Sequence, residues 1–196
     1  GRDRSLGGYS ADFADDDGSP SEDIRKALRA AEGDSVDDYL AAVAELCLSR
    51  LLVPLLSEGD ETMHPDPTRH AEMATVLLQQ PDGRRALLAF TGVDALAAWN
   101  RRARPVPATL DVVADTAVQS QAGTVLIDIA GPHPLVIEGE ILANLARGHR
   151  LILLPASRNY GWLTPASSKD DAVERKSAAA TTRPPRPVPV RKEHHR

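Results

Sequence analysis

The chain has 196 residues, of which 42% are hydrophobic and 26% charged, and its formal net charge is −5. This length and composition fit one globular domain with a sizeable core, and they argue against a fibrous or wholly disordered class. The net negative charge gives no overall attraction to nucleic acid or to an anionic membrane, although the two ends of the chain differ in sign.

The first 33 residues are predicted to be an acidic, mostly disordered arm. A run of three aspartates begins at Asp15, glycine and serine surround it, and large apolar side chains are few. Such a segment cannot bury enough surface to offset the entropy lost on ordering. A short helix near residues 21–31 is the alternative, because Ile24 and Leu28 share a helical face.

A folded domain is predicted over residues 34–165, and its first elements are a helix and a strand. Ser35 is placed to cap a helix whose apolar positions recur at helical spacing through residues 36–47. The apolar run 51–56 is short enough for a strand. Pro54 within that run predicts an edge position, because proline cannot donate to a neighbouring strand.

The next segment predicts a hairpin followed by a helix. Two apolar runs, 74–79 and 86–90, flank a Pro-Asp-Gly turn, which favours an antiparallel pair. Thr91 and Asp94 have the spacing of a capping box, so we expect Thr91 to cap a short helix that ends near Arg101.

Strands and helices alternate in the second half of the domain. Asp111 is expected to cap a helix that follows the extended segment 105–107. The later elements are a buried strand over 124–129, a proline-clamped turn, a strand over 135–137, a helix over 140–146 closed by Gly148, and a strand over 151–154 against which Tyr160 and Trp162 pack. This order predicts an α/β (α+β) fold, a single compact domain with a mixed β-sheet flanked by helices.

Residues 166–196 are predicted to be a basic, proline-rich, disordered tail. Four prolines alternate with arginines between Arg183 and Arg191, a composition that favours a solvated polyproline-like chain. Such a tail offers salt-sensitive contacts to RNA phosphates.

No catalytic, metal or cofactor signature is present. The loop with His64 and His70 matches no common metal spacing, and no phosphate-binding glycine motif occurs. His133 is the most interesting histidine, because it lies in a proline-clamped turn after the strand that carries Asp128, where a general base would be rigidly held. A structural histidine that pairs with backbone carbonyls is the favoured interpretation.

A compact basic patch follows Trp99. Arg101, Arg102 and Arg104 lie within four residues of one another, and an arginine fork can bind carboxylate or phosphate at two points. A solvated face is the simpler interpretation. If the patch functions, it can receive the acidic arm of its own chain, a partner protein or an RNA backbone.

Five short segments in order resemble one family. They are residues 51–54 (Leu-Leu-Val-Pro), 89–92 (Ala-Phe-Thr-Gly), 96–99 (Leu-Ala-Ala-Trp), 104–107 (Arg-Pro-Val-Pro) and 128–133 (Asp-Ile-Ala-Gly-Pro-His). Together they resemble the SseB-like N-terminal domain, the "enhanced serine sensitivity" family abundant in actinobacteria. The resemblance covers about residues 34–155. It implies a compact α/β domain with a mixed sheet, found in cytoplasmic bacterial proteins, without an established enzymatic activity.

Three functional hypotheses follow. The favoured one is a non-catalytic interaction or regulatory module that binds a protein partner near Trp99 and the three arginines. The alternatives are an RNA- or ribosome-associated factor that uses the basic tail, and a small-ligand binder or enzyme that uses His133 and Asp128. We expect a cytoplasmic location, because the single cysteine, Cys47, fits a reducing compartment and the acidic N-terminal residues do not resemble a secretory signal.

Overall fold

A computed structural model describes residues 16–56 and 76–165. The chain divides into two units after Thr164, and every element below belongs to the first unit. In chain order these elements are α1 (Glu22–Ala30), α2 (Val36–Leu46), β1 (Arg50–Leu55), β2 (Leu77–Gln79), β3 (Arg85–Ala89), α3 (Val93–Trp99), β4 (Arg104–Thr109), α4 (Leu110–Gln119), β5 (Thr124–Ile127), β6 (Leu135–Glu138), α5 (Gly139–Ala146), β7 (Arg150–Leu154) and β8 (Asn159–Leu163).

A four-stranded mixed sheet forms the centre, in the order β2-β3-β5-β6. β3 and β5 are parallel, whereas β2 and β6 run antiparallel to their neighbours. Antiparallel neighbours can be joined by short turns, but the parallel pair requires a long crossover, and α3, β4 and α4 supply it. The predicted α+β fold with a mixed sheet is confirmed.

Apolar side chains cover both faces of this sheet. Leu87 and Leu88 are adjacent in β3 and both fully buried, although successive side chains of a strand point to opposite faces. Leu87 belongs to a large cluster that also includes α1, α2, α4 and α5. Leu88 belongs to a smaller cluster with Phe90 and Leu96. The burial of β3 on both faces explains its nearly continuous apolar sequence.

A second sheet consists of β1 and β4, which pair antiparallel. It meets the central sheet through a bridge between Leu52 and Phe90. Within the described ranges, β1 and β4 are the only strands of this sheet. Pro54 stands opposite Pro105. Since neither proline can donate to the other strand, the pair occupies a position where no ladder bond is required.

The last strands form a hairpin that the sequence analysis identified only in part. β7 was expected, but residues 159–163 were not assigned to a strand, and they pair with β7 as β8. Tyr160 and Trp162 alternate along β8 and pack against the large cluster. Their contact with the core was expected. Two core-facing residues separated by one residue are also typical of a strand, which accounts for β8.

The folded part begins before residue 34. α1 forms over Glu22–Ala30, where the sequence analysis had only an alternative helix within a disordered arm. Ile24 and Leu28 are each 1% exposed and belong to the large cluster. These two buried side chains, one turn apart, give this otherwise polar helix an apolar face that packs on the core.

Two expected helix caps differ in the structure. Gly92, not Thr91, precedes α3 as its N-cap, and it has no side chain with which to cap. Thr109 precedes α4, and Asp111 lies inside the first turn of that helix. By contrast, Ser35 caps α2 as predicted and accepts a hydrogen bond from the Asp38 amide at 3.2 Å.

Candidate functional site

The parallel strands β3 and β5 end side by side, and a buried polar pair lies just beyond them. Thr91 follows β3 by two residues and Asp128 follows β5 directly. The Thr91 amide donates to Oδ1 of Asp128 at 2.8 Å, and the Thr91 hydroxyl donates to Oδ2 at 2.5 Å. Asp128 is 1% exposed and has a φ of 49°. This left-handed conformation, which ends β5 two residues earlier than predicted, turns the carboxylate towards β3.

Arg25 of α1 completes this polar centre. Its Nε donates to the Thr91 hydroxyl oxygen at 3.1 Å and lies 3.8 Å from Oδ2 of Asp128. Its Nη2 donates to Asp94 at 2.7 Å. The Thr91 hydroxyl therefore accepts from Arg25 and donates to Asp128 at the same time, which joins α1 to the ends of β3 and β5. We call Arg25, Thr91 and Asp128 the buried clamp.

The geometry of the clamp favours a structural role over a catalytic one. Burial raises the pKa of Asp128 above its ordinary value, because a low-dielectric environment disfavours the charge, while the two bonds from Thr91 and the positive charge of Arg25 oppose that shift. Each carboxylate oxygen already accepts a hydrogen bond from Thr91. A general base at this position would first have to break one of these bonds.

A second arginine holds the chain that precedes α1. We call residues 16–21 the strap. Arg50, at the start of β1, donates through Nε and Nη2 to both carboxylate oxygens of Asp16, and through Nη2 to the Ser19 carbonyl at 2.8 Å. Its Nη1 donates to the Thr91 carbonyl at 2.6 Å. The hydrogen bonds from Arg50 lower the pKa of Asp16. Arg50 thus ties the strap to the residue at the centre of the clamp.

A small cavity of about 240 Å³ lies beside Arg50 and the strap. Its lining residues are Asp16, Ser19, Ser21, Ile24, Ser49 and Arg50. Neither Asp128 nor His133 lines this cavity, although both were candidates for a ligand-binding site.

His133 contacts the end of α1 and not Asp128. Its Nδ1 lies 2.8 Å from a carboxylate oxygen of Glu32, and Arg29 Nε donates to its Nε2 at 3.2 Å. Both ring nitrogens of His133 therefore have a side-chain partner at or just after the end of α1. The structural interpretation expected backbone carbonyls as partners of His133, whereas the ring contacts the side chains of Arg29 and Glu32.

The predicted basic patch lies at the opposite end of α3 from Thr91. Trp99, the last residue of α3, packs against Phe90 with ring centroids 5.7 Å apart. Arg101, Arg102 and Arg104 are exposed. Ala103, between them, is 8% exposed and belongs to the smaller cluster. We call Trp99 with these three arginines the arginine surface.

The six sequence candidates therefore occupy separate places. Trp99 and the three arginines share the arginine surface, whereas Asp128 is in the clamp and His133 is joined to α1. Arg25 and Arg50, which the sequence did not mark as candidates, each contact Thr91 and at least one carboxylate. Their partners are 41 and 66 residues away along the chain, and no local pattern marks such distant pairs.

Within residues 16–56 and 76–165, no group of three or more His, Cys, Asp or Glu side chains is placed to hold a metal ion. None of the helices in those ranges is long and apolar enough to cross a membrane. His64, His70, residues 1–15 of the predicted arm and the predicted basic tail lie outside the described residues.

Comparison with known proteins identifies the family. The family model described as SseB protein N-terminal domain matches residues 24–144. This range begins within α1 and ends within α5, so it includes the central sheet, the clamp and the arginine surface. Comparisons with curated proteins and with solved structures give no match. Since the matched range is more than half of the 196 residues, the chain belongs to the SseB N-terminal domain family.

Proposed function

We propose that this SseB-family domain is a non-catalytic protein-interaction module of the cytoplasm, and that its arginine surface binds an acidic segment of a partner protein. The proposal rests on three exposed arginines that lie on a short turn, and two residues anchor this turn to the core. Trp99 packs on Phe90 on one side of the turn, and Ala103 is buried within it. A backbone fixed in this way presents the guanidinium groups at low entropic cost.

Arginine suits this proposed role because its planar fork matches a carboxylate at two points. Exposed ion pairs contribute little individually, but clustered charges of one sign steer an oppositely charged partner and increase its association rate. Trp99, which is half-buried, adds an aromatic side chain of the kind enriched at binding hot spots.

The edge of β4 favours recognition by side chains over strand addition. Pro107 stands opposite Leu52, whose amide and carbonyl both bond to Phe90 on the other side of β1, at 2.7 and 2.9 Å. The backbones of Pro107 and Pro105 therefore face away from β1. Since proline has no N–H, this edge lacks donors at both positions, and an incoming strand would find an incomplete ladder.

Affinity purification from the native cell tests this proposal. The full chain is compared with Arg101→Glu/Arg102→Glu/Arg104→Glu, and mass spectrometry quantifies the proteins that co-purify before and after ribonuclease treatment. The control Arg85→Glu/Arg147→Glu/Arg150→Glu changes the net charge equally at three arginines of other elements. We expect one set of proteins to be lost only from the first variant, irrespective of ribonuclease. Recovery of that set at wild-type levels with the first variant would contradict the proposal, and loss on ribonuclease treatment would favour RNA.

A further inference from the structure

The strap is bound to the domain in the way that a peptide ligand is bound. Besides the Arg50 contacts to Asp16 and Ser19, the Val93 amide donates to the Gly18 carbonyl at 2.9 Å. The side chains of Arg50 and Asp16 are 11% and 21% exposed, so their charge-assisted pair lies at the surface and is partly covered by the strap. A two-point arginine contact combined with backbone hydrogen bonds is a common arrangement in the recognition of acidic peptides.

Arg50, Gly92 and Val93 form a groove beneath the strap, and the space in this groove restricts which residues can occupy it. A Cβ atom at Gly18 would clash with Cγ1 of Val93, and the φ of Gly18 is 79°. On the groove side, a Cβ atom at Gly92 would lie 2.7 Å from Cδ of Pro20. The groove therefore requires glycine at the position of Gly18 in the strap. The absence of a side chain at Gly92 leaves room for Pro20, two residues after Gly18.

The groove belongs to the family domain, whereas its occupant does not. The family match begins at residue 24, after the strap ends. Arg50, Gly92 and Val93, which form the groove, all lie within the matched range 24–144. The binding surface thus lies within the matched range, and the strap that covers it lies outside that range.

Polar contacts hold the strap, and the core does not depend on it. Within the strap only Gly18 is buried, so the strap buries no large apolar side chain. The clamp of Arg25, Thr91 and Asp128 uses no strap atom. When the strap leaves, Arg50 can keep its bond to the Thr91 carbonyl while its other donors become available.

We propose that the groove formed by Arg50, Gly92 and Val93 is a docking site for an acidic Asp-X-Gly-X-Pro segment of a partner protein, and that residues 16–20 occupy it in cis. Charge complementarity determines the class of occupant, because the groove offers a guanidinium and a backbone amide, and both bind oxygen atoms. The strap then regulates the site by competition, and a partner must present a segment that outcompetes it.

The test uses the full chain and a synthetic peptide with the sequence of residues 14–21. Asp16→Asn/Gly18→Ala releases the strap by removing the carboxylate and adding a Cβ that clashes with Val93. By isothermal titration calorimetry, we expect this variant to bind the wild-type peptide at least about tenfold more tightly than the unaltered chain does, because its groove is no longer occupied. The same affinity is expected with Arg101, Arg102 and Arg104 reversed, which separates this site from the arginine surface.

Peptide variants provide the matched controls. A peptide with Asp17→Asn should bind like the wild type, because among the described residues the Asp17 carboxylate accepts a hydrogen bond from the Ser19 amide of the strap itself and none from the groove. Peptides with Asp16→Asn or Gly18→Ala should not bind measurably. The proposal is overturned if the release variant binds the wild-type peptide no more tightly than the unaltered chain, or if the Gly18→Ala peptide binds equally well.

A second measurement covers the case in which the release variant does not fold. The single variant Asp16→Asn introduces no clash, and hydrogen exchange of the Val93 amide reports whether Gly18 still covers it. We expect faster exchange at Val93 with unchanged exchange at Val125 in β5, and wild-type peptide should restore slow exchange at Val93. Val93 exchange that the peptide leaves unchanged would also overturn the proposal.

Discussion

The buried clamp predicts that one hydroxyl group stabilises this fold strongly. Thr91→Val keeps the shape of the side chain and the backbone bond to Oδ1 of Asp128, but it removes the hydroxyl between Arg25 and Oδ2. Oδ2 then loses its 2.5 Å donor, and Arg25 Nε loses its acceptor. The carboxylate is 1% exposed, so water cannot readily replace the lost bond.

The magnitude follows from the charge on the acceptor. A hydrogen bond to a buried charged group contributes about 1.5–3 kcal/mol, and leaving one partner unsatisfied costs a similar amount. We therefore expect Thr91→Val to lower the free energy of unfolding by about 2–3 kcal/mol. For a chain of this size that loss corresponds to a fall in Tm of roughly 4–12 °C.

Urea unfolding at several pH values measures the effect. Thr116→Val is the matched control, because the Thr116 hydroxyl donates to the Val112 carbonyl of its own helix at 2.8 Å and supports no buried charge. Burial raises the pKa of Asp128, and the neutral carboxyl depends less on a donor. The deficit of Thr91→Val should therefore shrink as pH falls through that raised pKa. A loss no larger than that of Thr116→Val, or a deficit independent of pH, would refute this account of the clamp.

Three further predictions concern other parts of the structure. The lowered pKa of Asp16 contributes stability that is present above its ordinary value of 3.8 and is lost as pH falls through the lower folded pKa. Asp16→Asn should therefore lose less stability than wild type as pH falls below 3.8, and an equal loss in urea titrations would contradict this. Gly139 has a φ of 61° and nothing within 4 Å of an added Cβ atom, whereas Gly123 has the same open space without the positive φ. Gly139→Ala should therefore lower the free energy of unfolding by about 1 kcal/mol, measured by thermal unfolding, and Gly123→Ala should not lower it. Equal effects of the two substitutions would argue against backbone strain at Gly139. Burial raises the pKa of the Cys47 thiol. The folded chain should therefore react with a thiol reagent at least about tenfold more slowly than the urea-unfolded chain. Similar rates would show that the thiol is accessible in the folded chain.

Elements with complete local signals were predictable. Ser35 and the apolar spacing after it predicted α2, the Pro-Asp-Gly turn predicted the β2–β3 hairpin, and Gly148 predicted the end of α5. In each case the residues that determine the element lie within one or two turns of it, so the sequence alone contains the decisive interaction. The structure contains all three elements.

Thr91 shows where local signals were insufficient. Its spacing to Asp94 is typical of a capping box, yet its hydroxyl donates to Asp128, 37 residues away. A buried carboxylate gains more from that donor than an exposed helix terminus does from a cap, because water can satisfy the terminus. Asp94 then becomes available to Arg25 of α1. The same nonlocal preference explains why the sequence analysis missed both arginines.

The clamp and the strap occupy the position at which the topology of this sheet favours a ligand site. In sheets with parallel strands, ligands commonly bind beyond the carboxyl ends of the strands. Thr91 and Asp128 lie there, after β3 and β5. In this chain, however, Arg25 fills the space on one side of Thr91, and Arg50 binds the Thr91 carbonyl while it holds the strap. Chemistry at Asp128 would require the clamp to open, whereas peptide exchange at Arg50 requires only that polar contacts of the strap be replaced by equivalent ones. The second change costs less and leaves the core intact, so this end of the sheet is better suited to reversible recognition than to catalysis.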